Sequence, residues 1–260
     1  MTDAVILLHG WPGSPGDFRR VVPLLDGRRL LVPDLFRPGG GDGDGDEWAA
    51  ADRHAGRILD LLRAERLERP VVAGYDIGSR IAQALARLAP DELAGVVVTP
   101  AYPGIADRAA RPDAQARAWY QHFHRLELSA ALVDGDARAV RAYLGHFWRT
   151  WSADPALAGG EEFDALVASY ARPGAFRRST AWYRANRGYA ADVPGRVPTV
   201  MLWPEADPLF PPAWSDAVGD WFTDVRLVPV PGCGHFVPLE APEAFAAAVR
   251  AVAALTESGG

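Results

Sequence analysis

Asp76 stands in the stretch Gly74-Tyr75-Asp76-Ile77-Gly78-Ser79. The short apolar run Arg69-Pro70-Val71-Val72-Ala73 precedes it, and Arg80 to Leu88 follows with apolar residues at helical spacing. That order predicts a strand, a sharp turn and a helix. Glycines two residues before and two after Asp76 leave room for a turn that lifts the side chain above the strand end. This is the arrangement of the G-x-S-x-G nucleophile elbow, with aspartate in the place of serine. A serine must lose a proton before it attacks, whereas a carboxylate is already ionised at neutral pH unless burial raises its pKa. Carboxylate oxygen suits displacement at a saturated carbon, such as an epoxide carbon or one bearing a halogen, and the product is an ester on the enzyme. Hydrolysing that ester needs a histidine to deprotonate water, an acid to orient the histidine, and N–H donors for the oxyanion. Taken alone, Asp76 is equally a solvated turn residue, so its reading rests on the parts around it.

Those parts must be positioned by regular elements. Ala4 to Leu8 reads as a buried strand ending in the loop His9-Gly10-Trp11-Pro12-Gly13, followed by an apolar helix through Phe18, Val21, Val22, Leu24 and Leu25. This is the start of a βαβ unit. Leu30-Leu31-Val32 makes the next strand, and the Gly/Asp-rich stretch from Arg37 to Asp46 reads as a mobile loop. A helix from about Glu47 to Leu67 leads into the elbow strand. Further strands are predicted at Leu93 to Thr99, Val197 to Trp203 and Val225 to Val230, with a closing amphipathic helix from Pro242 to Leu255. Between Pro100 and Arg196 the pattern changes to helical segments rich in Trp, Tyr, Phe and His, broken at Asp154-Pro155 and Arg172-Pro173-Gly174. An all-helical insertion over the carboxyl edge of a parallel sheet would act as a lid on a ligand site.

A chain of 260 residues with 49% hydrophobic side chains can bury one sizeable core, which predicts one domain with an insertion. Its net charge of −6 supplies no basic field for nucleic acid or an anionic membrane. Cys233 is the single cysteine, which excludes an internal disulfide and fits a reducing cytoplasm. Beside His235 it invites a thiol-nucleophile reading, but a lone cysteine reads better as a small buried hydrophobe. With no basic N-terminal segment leading into a long apolar core, and no apolar run of about 18 residues, the expectation is a cytoplasmic protein free of membrane.

At this point the chain resembles the α/β-hydrolase family along nearly its whole length, and more narrowly the epoxide hydrolases with their relatives, the haloalkane and haloacid dehalogenases. These share an aspartate elbow, an HG-x-P loop, a late Gly-His and a helical cap. The resemblance implies an α/β-hydrolase fold, a mostly parallel sheet flanked by helices, with residues 1–100 and 197–260 as core and 101–196 as the inserted cap. His9-Gly10-Trp11-Pro12 matches the HG-x-P loop, and Gly232-Cys233-Gly234-His235-Phe236 the late Gly-His segment. By resemblance Trp11 and Ile77 supply the two oxyanion N–H groups. The residue after the nucleophile also opens a helix whose free N–H groups face the site. His235 is the implied base. The loop Pro204-Glu205-Ala206-Asp207-Pro208 resembles the one carrying the orienting acid, pointing to Asp207 with Glu205 as the fallback; Asp207 also reads as a turn residue before Pro208.

Epoxide oxygen leaves as an alkoxide, so hydroxyl donors should face the nucleophile. Epoxide hydrolases carry two cap tyrosines there, one in a Tyr-Gln and one in a W-Y-R segment, and this chain has Trp119-Tyr120-Gln121 and Trp182-Tyr183-Arg184. Tyr120 and Tyr183 carry over, against the alternative that they are packing aromatics. The implied activity is epoxide hydrolysis, with a small hydrophobic epoxide and water as substrates and neither cofactor nor metal. The alternatives are a dehalogenase using the same aspartate, or a non-catalytic receptor on the same fold. Dehalogenases often place tryptophan or arginine directly after the nucleophile, and position 77 is isoleucine. His122, His124 and His146 offer metal-ligand chemistry, yet His122 and His124 at i, i+2 share no helix face. Trp148, Trp151 and Trp182 read as pocket wall or cap core, and His54 as solvated. The family usually has two more strands before the HG loop strand, so the Leu30 strand should be an edge, covered by a second copy of the chain in a homodimer or by the Gly/Asp-rich segment.

Overall fold

The computed structural model describes residues 4–37, 45–188 and 195–257. Among them six strands form one sheet, β1 Ala4–Leu8, β2 Arg29–Leu31, β3 Val71–Gly74, β4 Gly95–Val98, β5 Thr199–Pro204 and β6 Val225–Val230. Their order is β2-β1-β3-β4-β5-β6, and every pair is parallel. The chain leaves β1 toward β2 on one side and resumes at β3 on the other. The crevice at the carboxyl ends of β1 and β3 is therefore the topological switch point, where open α/β sheets bind ligands. Register sharpens this: Leu8 lies opposite Gly74, so the loop after β1 and the turn after β3 leave the sheet side by side.

Helix α1 (Ala51–Ala64) packs against α2 (Ile77–Leu88), and α2 lies on β3 and β4. Both elbow glycines are set by close approach. A methyl group on Gly78 would overlap the carbonyl oxygens of Leu8 and His9, and one on Gly74 would overlap the Gly78 carbonyl. The strand-to-helix turn closes only because neither side chain exists.

Between β4 and β5 the chain forms α3 (Ala106–Ala109), α4 (Pro112–Arg117), α5 (Trp119–Phe123), α6 (Glu127–Val133), α7 (Ala137–Trp151), α8 (Glu161–Tyr170), α9 (Ala175–Ser179) and α10 (Ala181–Ala185). The longest, α7, starts where the Asp136 carboxylate accepts from Arg138 N–H and Ala139 N–H. This insertion is tied to loops at the carboxyl end of the sheet: Trp148 Nε1 donates to Pro12 O at 3.0 Å, Gly13 N to Tyr170 Oη at 3.3 Å, and His235 N to Trp151 O at 2.9 Å. After β5 come α11 (Val218–Trp221), α12 (Val237–Glu240) and α13 (Pro242–Glu257), the last packed on β4 and β5.

Three expectations change. The helix expected through Phe18 to Leu25 is two separate 3-10 turns, Pro15–Phe18 and Val22–Leu25, because Pro23 has no N–H to donate and biases Val22 against the α conformation. The helix expected from Glu47 to Leu67 divides at Ala50, which is extended. α1 then begins where Ala51 N–H donates to Asn186 Oδ1 at 2.9 Å, a partner 135 residues away. His54, expected in solvent, is 3% exposed between Trp48 and Trp182, with burial and the neighbouring Arg57 lowering its pKa to about 3. Strand β2 is an edge, paired with β1 alone among the described residues; most of the Gly/Asp-rich segment expected to cover it, residues 38–44, lies outside them. No helix among the described residues is long and apolar enough to cross a membrane.

Replacing Gly78 by alanine forces backbone apart at the elbow. Urea denaturation of Gly78→Ala should show a loss of ~3 kcal/mol or more, and a loss under ~1 kcal/mol would contradict the close packing of β1, β3 and α2 described here.

Candidate active site

Asp76 has φ +51° and ψ −120°, a backbone conformation that L residues rarely adopt and that costs of order 1–3 kcal/mol. The surroundings over-determine it. Asp76 N–H donates to Thr99 Oγ1 at 3.1 Å, Thr99 N–H to Ser79 Oγ at 3.1 Å, and Ser79 Oγ to Thr99 O at 2.9 Å. These bonds tie the elbow to the end of β4. On the other side Tyr75 N–H donates to Leu8 O at 3.3 Å. The result is a carboxylate raised over the switch point with its side chain 11% exposed.

Two groups meet that carboxylate. Trp11 N–H donates to Oδ1 at 2.8 Å. His235 Nε2 lies 3.3 Å from Oδ2, an ion-pair contact that leaves Nε2 buried without a hydrogen-bond partner among the described residues. Ile77, the first residue of α2, brings an N–H that no carbonyl of the helix accepts. Behind His235, Nδ1 is 2.8 Å from Asp207 Oδ2, and the other Asp207 oxygen accepts Leu209 N–H at 2.8 Å. Asp207 is buried and Glu205 is exposed, so of the two candidate acids the fold brings Asp207 to the histidine and turns Glu205 to solvent.

Burial by itself would lower the imidazole pKa. The carboxylates of Asp207 and Asp76 outweigh it and hold His235 up at about 10. In the free protein His235 is therefore an imidazolium between two carboxylates. Converting Asp76 to an ester removes one of those charges, which lowers the histidine pKa and frees it to accept a proton.

Tyr120 and Tyr183, from α5 and α10, line the cavity above Asp76, together with Trp182 and Phe210. Their rings meet edge to face at 5.7 Å, with Trp11 stacked on Tyr120 at 5.7 Å. Burial, with Tyr120 and Asp76 nearby, raises the Tyr183 pKa far above its ordinary value and keeps the phenol protonated. The other cap candidates lie elsewhere. His122 is exposed and bonded to Gln115, His146 is exposed, and His124 is buried with Nε2 2.9 Å from Tyr143 Oη. Trp148 and Trp151 are buried in the cap, and the Trp151 ring packs 4.9 Å from that of His235. Cys233 is also buried, its thiol donating to Gly234 O and its pKa pushed up by desolvation; that environment disfavours the thiolate a nucleophile requires.

Two positioning carboxylates were not foreseen. Glu240 accepts N–H bonds from Ala153, Gly234 and Phe236 at 2.7, 3.0 and 3.0 Å, clamping the His235 loop to the end of α7. Asp17 closes a reciprocal cap with Ser14 and accepts the Tyr75 hydroxyl at 2.6 Å, joining the Trp11 loop to the elbow. The Ser14-x-x-Asp17 spacing is a legible capping signal; its link to Tyr75 is not. His9 adds a third tie, with Nδ1 3.0 Å from Gly10 O and Nε2 accepting Leu35 N–H at 3.0 Å.

A model of the alpha/beta hydrolase fold matches residues 3–242, and the chain belongs to that family. It is 29% identical over 249 residues to 2-succinyl-6-hydroxy-2,4-cyclohexadiene-1-carboxylate synthase of Serratia proteamaculans, covering 95% of this chain and 91% of the relative. To the soluble epoxide hydrolase of Corynebacterium sp. it is 26% identical over 256 residues, covering 92% and 86%. Among solved structures, wild-type Cfl2 from Burkholderia cenocepacia superposes with a TM-score of 0.81 at 27% identity, covering 96% of this chain and 87% of that one. The relatives' names span a synthase and a hydrolase, so within the family the reaction must be argued from the site.

Asp17 carries a pH signature. Desolvation raises its pKa from 3.8 to about 6, against the lowering effects of His9, Tyr75 and Ser14. A carboxyl that holds its proton more tightly when folded favours the native state below about 3.8, and that contribution is lost as pH rises through about 6. The stability of wild type relative to Asp17→Asn should fall by ~3 kcal/mol between about pH 3.5 and 7. Urea titrations giving a pH-independent difference would contradict the assignment.

Proposed function

We propose that the protein is an epoxide hydrolase that opens an epoxide to a vicinal diol through an ester on Asp76. The observation that carries this reading is a carboxylate at the elbow, in reach of a histidine–aspartate pair, in a cavity also lined by two buried tyrosines. A serine esterase site would share the histidine–aspartate pair but would need neither the elbow carboxylate nor the two tyrosines. Here the nucleophile is anionic before substrate arrives, and the tyrosines supply protons where a leaving oxygen would gather charge.

In the first step an Asp76 oxygen attacks an epoxide carbon. The C–O bond of the ring breaks, and the departing oxygen takes a proton from Tyr120 or Tyr183, the other phenol donating a hydrogen bond. General acid catalysis of this kind contributes about 10²- to 10⁴-fold. In the second step the His235 imidazolium, no longer facing an Asp76 carboxylate, gives its proton through water to the tyrosinate, and the neutral imidazole then removes a proton from a water molecule. The hydroxide adds to the ester carbonyl, Trp11 and Ile77 N–H groups hold the oxyanion, and collapse releases the diol and restores Asp76. Asp207 orients His235 and balances the imidazolium throughout. The cavity over Asp76 is only about 30 Å³, about the room of one water, so substrate enters as cap side chains part.

Loss of the base should trap the ester. Intact mass spectrometry of His235→Gln incubated with an epoxide panel should show a gain equal to the whole substrate mass, absent when Asp76→Ala is added. A gain equal to substrate minus hydrogen halide from an organohalide panel would mean a dehalogenase, and no adduct from either would sink the Asp76 mechanism. In steady state Tyr120→Phe and Tyr183→Phe should each lower kcat by roughly 10²-fold, and the double variant by more. A double variant within a few-fold of wild type would remove the tyrosines from the reaction.

A further inference from the structure

The cavity lined by the two tyrosines also carries cations on its wall. Arg125, in the turn between α5 and α6, lines the cavity and donates Nε–H to Tyr183 O at 3.0 Å. Among the described residues its two Nη groups meet no acceptor, and no carboxylate pairs with it. The charge that acts on it is a second cation, Arg187, which with desolvation disfavours its ionised form. Arg80 lines the same cavity, its guanidinium 5.3 Å over the Trp182 ring and donating to Gly188 O at 2.6 Å. Adjoining this space is an outer chamber of about 260 Å³, which shares Arg80 with it and adds Arg87, Arg187 and Asp52.

A partly desolvated guanidinium beside another, without a carboxylate, is unfavourable on its own. At a substrate cavity the missing partner is a ligand anion, and the planar fork of arginine matches a carboxylate through two parallel hydrogen bonds. We propose that the substrate is an epoxide bearing a carboxylate, bound through Arg125 while the epoxide carbon faces Asp76, with the outer arginines drawing the anion inward. This rests on the epoxide hydrolase reading and replaces the purely hydrophobic substrate implied by family resemblance. The carboxylate is a spectator: the bonds made and broken are those given above, and the product is a dihydroxy acid.

The test compares kcat/KM of the wild-type protein for an epoxide ending in a carboxylate and for its primary amide, which is nearly the same size. The acid should be favoured by roughly 10- to 100-fold, and the ratio should shrink with added salt. In Arg125→Gln the ratio should fall toward one, and Arg125→Lys should restore part of it. Butanoate should inhibit turnover of a neutral epoxide competitively while butanamide does not, a readout that needs no variant. Equal kcat/KM for acid and amide, an unchanged ratio in Arg125→Gln, or equal inhibition by butanoate and butanamide overturns the assignment. If the amide epoxide turns over without acid preference, only the carboxylate subsite fails. If neither epoxide alkylates Asp76 in His235→Gln, the epoxide reading fails with it.

Discussion

A strained backbone holds the site together. Asp76 keeps an unfavourable φ of +51° because β1, β3, β4 and α2 converge on it with hydrogen bonds and with contacts too close for any side chain at Gly74 or Gly78. In exchange the carboxylate is fixed at the switch point of the sheet, where the N–H of Trp11 and the imidazole of His235 reach it from different loops. Relaxing the turn by even an ångström would separate a nucleophile from its partners, and alignment on that scale governs rate.

The electrostatics follow from the same placement. Two carboxylates, Asp76 and Asp207, flank one buried histidine, so the imidazolium is favoured until Asp76 is esterified. In the proposed mechanism this would switch the site from a state suited to nucleophilic attack to one suited to base catalysis. Glu240 and Asp17 act one layer out. Asp17 is buried and Glu240 half-buried; each is satisfied by N–H or O–H donors from two segments, and each holds a loop that carries a group of the candidate site.

What the sequence disclosed is what local backbone geometry encodes. The elbow, the HG-x-P loop and the late Gly-His each need particular small residues within a few positions, so Asp76, Trp11 and His235 were legible, as was the alternation of strands and helices that makes the parallel sheet. What depends on distant partners was not. For Asp207 and Glu205, two residues apart in one loop, family resemblance alone pointed to Asp207, and the folded direction of each side chain is what separates them. Asp17 meets Tyr75 across 58 residues, α1 is started by Asn186, and His54 is buried between Trp48 and the distant Trp182. The apolar spacing from Phe18 to Leu25 suits a helix, but Pro23 within it breaks the segment into two turns. Arg125 looked like one of 27 cationic side chains until the fold set it on the wall of the cavity.

The central claim is that Asp76 forms the covalent bond to substrate, and oxygen isotopes test it most directly. In a single turnover with enzyme in excess in ¹⁸O-water, the diol should form without label. The solvent oxygen should appear instead in the Asp76 carboxylate, located by mass spectrometry of the peptide that contains it. Labelled diol from the first turnover, with Asp76 unlabelled, would mean that water attacks the substrate directly and that Asp76 is no nucleophile.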